Sequence, residues 1–263
     1  MLAWPQLMKI KNLFFLSLIP LLLSPLTLFA QPKLNAANII KLSDDLMRGD
    51  SNQGVYTMNI QTAHWSRELK LRVYSLGRDK IFIRILSPEK EAGIGTLRIK
   101  NEMWNFLPRV EKTIKIPPSL MLQPWMGSDF ANDDLVKENS IVDDYTHTIL
   151  AEETVDKNNF YKIELIPKEH AAVIWGKIIR WVHTKKFYPL REEYYNEKEK
   201  LIKVLEYSDV ATVSDRTIPK TWTMKSMIKP KNATTIRLID VKYNKPIADN
   251  VFTMANLKNV KSK

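Results

Sequence analysis

The segment from Gly93 to Leu135 constrains the fold most, because apolar residues alternate on both sides of two closely spaced turns. A slip of one residue in a strand register moves every side chain to the other face, so the pairing of apolar residues tests where each turn lies. A two-residue turn at Asn101-Glu102 places Ile99 opposite Trp104. A turn one residue earlier pairs Ile99 with an acidic side chain, so we predict the turn at Asn101-Glu102.

The next turn is predicted as a three-residue loop from Arg109 to Glu111, because this loop places Phe106 opposite Ile114 and Trp104 opposite Ile116. Three consecutive strands then share one apolar face, formed by Leu97, Ile99, Trp104, Phe106, Ile114 and Ile116. This face is either an ordinary sheet core or the wall of a partly open cavity. The two alternatives differ in whether the space in front of the face is filled.

Residues 1–30 have the pattern of a secretory signal peptide. Two lysines precede an apolar run from Leu13 to Phe29, and Ala30 follows the run as a small residue at the predicted cleavage site. Two prolines inside the run argue against a stable membrane-spanning helix. We therefore predict an exported protein whose mature chain, residues 31–263, forms a single soluble domain.

Composition narrows the chemistry of the mature chain. It has no cysteine, so disulfides, thiol catalysis and cysteine-ligated metals are excluded. The formal net charge is +11, and it falls to +9 without Lys9 and Lys11 of the signal peptide. Such a charge favours anionic partners, which for an exported protein are lipid head groups or acidic protein surfaces. No motif of a nucleic-acid-binding module is present.

The remaining pattern predicts a mainly β (α+β) protein. A helix is expected from Asn35 to Met47, with Asn35 as its cap and Gly49 as its stop. Long alternating strands follow, and more than ten strands exceed what a flat open sheet usually holds. We therefore predict a strongly curved antiparallel half-barrel of about ten or eleven strands covered by a few short helices.

One of these covering helices is predicted from Pro117 to Met126. Its apolar residues recur at spacings of three and four, with Pro118 in the first turn. An apolar stripe of this kind needs an apolar surface to pack on, and the nearest candidate is the face that ends at Ile116. The stripe consists of Met121, Leu122, Trp125 and Met126.

No catalytic or metal-binding motif accompanies this fold. The four histidines are far apart and lack metal-ligand spacing, and no nucleophile elbow or phosphate loop occurs. Ser128 beside Asp129 is better explained by helix capping than by catalysis. An enzyme would need a polar cluster inside the cavity, which the pattern does not indicate. We expect a non-enzymatic protein without a cofactor or metal.

Several stretches resemble a known family. They are GTLRIKNEMWNFLPR at Gly95–Arg109, IKIPPS at Ile114–Ser119, WMGSDF at Trp125–Phe130, DDL at Asp133–Leu135 and NKPIADNVFT at Asn244–Thr253. Together they are similar to outer membrane lipoprotein-sorting-like proteins of the LolA/LolB superfamily, over essentially the whole mature chain. The resemblance implies a periplasmic half-barrel with an apolar cavity for acyl chains. It also implies a link to inner-membrane exporters of the resistance-nodulation-division type.

We therefore expect a periplasmic carrier or chaperone for lipid or lipoprotein acyl chains, acting in outer-membrane lipoprotein sorting or lipid export. Its predicted partners are an acyl chain, an exporter and, transiently, a membrane surface, and the protein is expected to be a monomer. The alternative is a non-catalytic sensor or accessory protein that docks on an inner-membrane exporter. The predicted cavity lining is Tyr56, Met58, Ile60, Leu97, Ile99, Trp104, Phe106, Ile114, Ile116, Met121, Leu122, Trp125 and Met126. Methionines adapt to variable ligands, and they equally serve as gap fillers in an ordinary core.

Overall fold

A computed structural model describes Met1 and residues 34–137, 141–171 and 173–260. Apart from Met1, the predicted signal peptide lies outside the described residues. From Leu34 onward the chain forms one compact unit. The described α-helices are α1 (Ala36–Arg48), α2 (Asn132–Lys137) and α3 (Met254–Lys258).

One antiparallel sheet contains all the described strands. They are β1 (Ser51–Gln61), β2 (Ser66–Leu76), β3 (Lys80–Ser87), β4 (Gly95–Ile99), β5 (Glu102–Leu107), β6 (Lys112–Lys115), β7 (Tyr145–Val155), β8 (Asn158–Pro167), β9 (Lys177–His183), β10 (Pro189–Tyr195), β11 (Leu201–Val213), β12 (Arg216–Ser226) and β13 (Ala233–Tyr243). The mainly β prediction is confirmed. The described residues form thirteen strands and not ten or eleven, and even the four-residue β6 pairs within the same sheet.

The strand order determines where the chain must cross the molecule. The order is β6-β5-β4-β3-β2-β1-β13-β12-β11-β10-β9-β8-β7, so β1 pairs with β13 at the middle of the sheet, and β6 and β7 are its two edges. The sheet is curved and not closed. Because β6 and β7 are consecutive in the chain, residues 116–144 must run from one edge to the other.

Alternating side chains give the sheet two apolar faces. We call the face of β1–β3 that carries Met58, Leu71 and Ile83 the inner face; its cluster also includes Trp125. On the outer face, Phe82 and Leu97 pack with Leu257 of α3 and its neighbour Phe252. The C-terminal segment therefore covers the outer face of β3–β5, and this leaves the inner face to the segment that joins the sheet edges.

Both predicted turn registers in the β4–β6 region are wrong. The first turn is Lys100-Asn101, so Ile99 lies opposite Glu102 and Leu97 opposite Trp104. The apolar pattern could not exclude this register, because a shift of two positions in pairing keeps the same residues on the same face. Lys100 makes the tight turn with a left-handed backbone, at φ 52°.

The error in the second turn places the side chains of β6 on the wrong face of the sheet. The loop after β5 contains a 3₁₀ turn, Pro108–Val110, followed by Glu111 in the left-handed conformation. This loop is one residue longer than predicted, so β6 shifts by one position and Ile114 lies opposite Asn105 and not Phe106. A shift of one position reverses the faces. Ile114 therefore lies on the opposite face from Phe106, on an edge strand, and it is exposed.

The predicted first helix is confirmed and the predicted covering helix is not. Asn35 caps α1 by accepting a hydrogen bond from the backbone N–H of Asn38 at 2.8 Å, and Gly49 ends it with φ 67°. Between Pro117 and Met126 there are only short 3₁₀ turns, separated by an extended stretch at Pro124. Proline removes a backbone donor and disfavours a helical conformation in the residue before it, so a continuous helix cannot form there.

Candidate functional site: a covered cavity on the inner face

A cover segment, residues 117–137, lies across the inner face between the two sheet edges. On one side it is attached to β2 and β4. Arg67 donates a hydrogen bond to the carbonyl of Met126, and the indole N–H of Trp125 donates to the hydroxyl of Thr96 at 3.2 Å. The buried Arg98 donates to the carbonyl of Leu135 at 3.0 Å.

On the other side the cover segment is attached to β11 and β13. The Nζ of Lys203 lies 2.6 Å from a carboxylate oxygen of Asp134. The hydroxyl of Thr234 donates to the Asp129 carboxylate at 2.7 Å and accepts from the Asp129 backbone N–H at 2.9 Å. The cover segment therefore joins strands from both halves of the curved sheet.

A cavity of about 210 Å³ lies beneath the cover segment. One part of its wall is apolar and comes from β1–β3 together with Trp125 and Phe130 of the cover segment. α1 and the loop around Trp175 also contribute to the wall, and the cavity is partly open. The apolar strand residues in this part of the wall are Tyr56, Met58, Leu71, Val73, Ile81 and Ile83.

The predicted lining residues separate into three groups. Tyr56, Met58 and Trp125 lie on the cavity wall. Ile60, Ile116, Met121 and Met126 belong to the same apolar cluster behind the wall. The third group does not face the cavity: Ile114 and Leu122 are exposed, and Leu97, Ile99, Trp104 and Phe106 pack in the outer-face cluster.

The placement of the third group corrects the sequence prediction. On β4 and β5 the inner face carries Thr96, Arg98 and Met103, and the more apolar face of these strands is the outer one. This outer face is buried by α3 and by the residues just before α3. The predicted registers of β4–β6 took no account of this distant part of the chain. Leu122 is exposed because the helix that would have turned it inward is absent.

A second part of the cavity wall is polar, contrary to the sequence expectation. Arg180 on β9 and Glu192 on β10 are directly opposite in the register. Their side chains are only 4% and 7% exposed, and the guanidinium Nε lies 3.2 Å from a carboxylate oxygen. Tyr194 and Tyr207 donate their phenolic hydrogens to the same carboxylate, Tyr207 at 2.8 Å. Asp44 and Arg48 of α1 extend this polar wall with an ion pair at 3.2 Å.

These groups hold stable charge states. Burial alone would lower the pKa of the Arg180 guanidinium, but the adjacent Glu192 carboxylate and other nearby anions raise it above its ordinary value. Burial, and secondarily the Glu192 charge, raise the pKa of the Tyr194 phenol well above its ordinary value. Arg180 is therefore a cation and Tyr194 a neutral hydrogen-bond donor at neutral pH.

This arrangement is suited to binding. Glu192 is contacted by Arg180, Tyr194 and Tyr207, so its carboxylate is a poor general base. Within residues 34–137, 141–171 and 173–260, no group of three potential metal ligands comes together. In the same residues, no helix has both the length and the apolar character needed to span a membrane.

Comparison with known proteins gives the family. A family model described as "Uncharacterized protein" matches residues 77–259. The chain belongs to that family. No curated protein sequence matches it.

Solved structures similar to this chain have the LolA-like fold. A DUF1329 family protein from Desulfovibrio piger superposes with a TM-score of 0.78 at 21% identity, over 84% of this chain and 97% of that one. A domain described as an outer membrane lipoprotein-sorting protein, from Vibrio parahaemolyticus, gives 0.74 at 21%, over 85% and 98%. A LolA superfamily protein from Nitrosomonas europaea gives 0.71 at 24%, over 85% and 99%. The expected similarity in fold to the LolA superfamily is thereby confirmed.

The attachment of the cover segment to this LolA-like sheet makes a testable contribution to stability. Burial raises the pKa of the Asp129 carboxyl above its ordinary value of 3.8, and the Thr234 hydrogen bond and two lysines offset this only in part. The folded state therefore favours the protonated acid. The free energy of unfolding therefore decreases as the pH rises from 3.8 through the raised pKa of Asp129, because the ionised carboxylate is the less stable form in the folded protein.

We predict that Asp129→Asn melts at a higher temperature than the wild type at pH 7 and at the same temperature below pH 3.8. Asparagine keeps an oxygen that can accept from Thr234 and carries no charge to bury. Thermal unfolding followed by circular dichroism across this pH range tests the prediction. The exposed Asp79→Asn is the matched control, with no change expected at either pH. A lower melting temperature for Asp129→Asn at pH 7 would contradict it.

Proposed function

We propose that this protein is a periplasmic carrier or chaperone that shields a lipid or lipoprotein acyl chain in its inner-face cavity. The observation that supports this most is a cavity with an apolar wall beneath the cover segment. Burial of each methylene contributes about 0.8 kcal/mol, so an extended acyl chain binds well to such a wall without any catalytic group. The presence of a cavity favours the carrier over the sensor alternative, which needs only a filled core.

The size of the cavity limits what it encloses. An apolar cavity of about 150 Å³ accommodates one benzene molecule, so 210 Å³ has room for a short stretch of hydrocarbon. This volume suits part of one extended acyl chain and is too small for a whole multi-chain lipid. A larger occupant requires the cover segment to move. Its short 3₁₀ turns and six-residue helix have few internal hydrogen bonds to hold it in place, so outward movement is the proposed route of entry.

The proposed place of action is the path between the two membranes of the cell envelope. The signal-like pattern of residues 1–30 supports export to the periplasm. The similarity in fold to the Vibrio parahaemolyticus and Nitrosomonas europaea structures supports a role related to outer-membrane lipoprotein sorting. An exporter of the resistance-nodulation-division type remains the protein partner that the sequence resemblance predicts.

Two neighbouring loops at one end of the sheet support transient contact with a membrane surface. The β1–β2 turn and the β12–β13 loop are adjacent, because Gln61 pairs with Ala233 where these strands end. Trp65, Met227 and Ile228 are respectively 45%, 47% and 56% exposed on these loops. Lys229 and Lys231 are exposed beside them. Apolar tips with adjacent lysines are suited to an anionic lipid surface.

We predict that the purified protein binds vesicles containing anionic lipid and that Lys229→Gln combined with Lys231→Gln weakens this binding about tenfold or more. Each lysine near an anionic surface contributes about 1 kcal/mol. Vesicle co-sedimentation at low and high salt measures the effect. The same double change at Lys185 and Lys186, in the turn after β9, removes equal charge at the other end of the sheet and serves as control. Equal loss in both variants would contradict a local contact.

For the cavity itself, we predict that Val73→Trp lowers the affinity for a fluorescent fatty acid at least tenfold, with the wild type binding at micromolar or lower concentration. Val73 lies on the cavity wall, so an indole there occupies the space that the acyl chain needs. The matched control is Tyr74→Trp, which adds an indole on the outer face of the same strand. Fluorescence titration measures both.

Three outcomes of that titration would contradict the proposed function. They are no binding by the delipidated wild type, unchanged binding by Val73→Trp, and equal loss in both variants. Circular dichroism of each variant confirms that it is folded before its affinity is compared.

A further inference from the structure

The buried Arg180 guanidinium has hydrogen-bonding capacity that the protein does not use. Arg180 is 3% exposed, and it lines the cavity. Its Nε contacts Glu192 at 3.2 Å as an ion pair but makes no hydrogen bond. A guanidinium carries five N–H donors, four of them on the Nη nitrogens. In the described part of the chain, no protein acceptor receives a hydrogen bond from this side chain.

An unused buried donor is costly and therefore informative. Removing such a group from water without a partner costs about 1 to 3 kcal/mol, and more when the group is charged. Other buried arginines in this protein do have acceptors. Arg84 donates to the carbonyls of Gly93, Asn256 and Leu257, and Arg98 donates to the carbonyl of Leu135. Arg180 differs from them because it faces a cavity.

The charges around Arg180 indicate which acceptor fits. Its positive charge is already compensated by Glu192 and, more distantly, by Asp44. The Asp44 carboxylate in turn contacts Arg48 at 3.2 Å and Arg78 at 2.9 Å. Asp133 and Asp134 also line the cavity. A second anion would meet these carboxylates, whereas a neutral carbonyl oxygen accepts from the Nη donors without adding charge.

We propose that Arg180 binds the ester or amide carbonyl that joins an acyl chain to its head group, while the hydrocarbon lies along the β1–β3 wall. This inference rests on the proposed function and adds the chemical class of the ligand to it. The cavity then has two matched halves, one apolar and one hydrogen-bonding. Glu192, Tyr194 and Tyr207 are positioning residues that hold the guanidinium and keep its charge compensated.

The test compares two neutral probes that differ in one carbonyl. Monolauroylglycerol has an ester, and monododecylglycerol is the matching ether without a carbonyl. We expect the wild type to bind the ester about tenfold more tightly, since a hydrogen bond to a charged group is worth at least that factor. Displacement of a fluorescent fatty acid measures both affinities, with each probe kept below its micellar concentration.

Two variants identify the residue responsible. Arg180→Met and Arg180→Leu, each combined with Glu192→Gln, remove the donors without leaving an unpaired charge, and the Gln oxygen can still accept from Tyr194 and Tyr207. Both are expected to lower the ester-to-ether ratio to about one, with ether binding still measurable. Retained ether affinity also shows that the cavity is intact. If one variant does not fold, the other still decides the question.

The outcomes separate this inference from the proposed function. Wild type that binds neither probe contradicts the proposed function itself. Wild type that binds ester and ether equally leaves the carrier function standing and overturns the carbonyl site. A tenfold preference that persists in either variant also overturns it. Laurate binding more than tenfold tighter than the ester, with loss of that preference in both variants, would show that Arg180 binds anions and would overturn the neutral-carbonyl assignment.

Discussion

The whole structure depends on the two edge strands of one open sheet being consecutive in the chain. β6 and β7 lie at opposite ends of the strand order, so residues 116–144 must connect one edge to the other. In a curved sheet the short route crosses the inner face. The cavity is a consequence of this route, because a segment with two 3₁₀ turns and a six-residue helix bridges the inner face without filling the space beneath it.

The attachments of the cover segment explain why it stays in place despite its short elements. Arginines 67 and 98 donate to backbone carbonyls at two points along it, while Lys203 and Thr234 hold carboxylates from the other half of the sheet. Each is a single polar interaction, worth about 0.5 to 3 kcal/mol. Together they hold the segment closed, and each is weak enough to be exchanged during the proposed entry of a ligand.

The sequence was sufficient for the mainly β class, the capped first helix and the family resemblance, because each of these depends on local pattern. It was insufficient for the faces of β4–β6. The outer-face partner of Leu97 and Phe106 is Leu257, far along the chain, and local alternation cannot identify a distant partner. The register of β6 differs from the prediction because of the 3₁₀ turn that begins at Pro108. The predicted covering helix does not form because Pro124 interrupts it. In both places the local effect of a proline outweighs the apolar pattern.

The polar wall of the cavity was also missed, although a signal was present. Alternation along β9 and β10 places Arg180 among apolar neighbours and Glu192 beside Tyr194 on one face. Opposite charges that lie directly across an antiparallel strand pair interact favourably. The pairing register, with Arg180 opposite Glu192, is the information that the pattern alone did not supply.

Occupation of the inner-face cavity by an acyl chain is tested most directly by a crystal structure with a fatty acid brominated at its terminal carbon. The anomalous signal of bromine locates the end of the chain independently of the protein phases. We expect one bromine peak against the apolar wall near Leu71, Ile83 and Trp125. A peak on the outer face near Phe252, or protein crystallised from saturating ligand with an empty cavity, would contradict it.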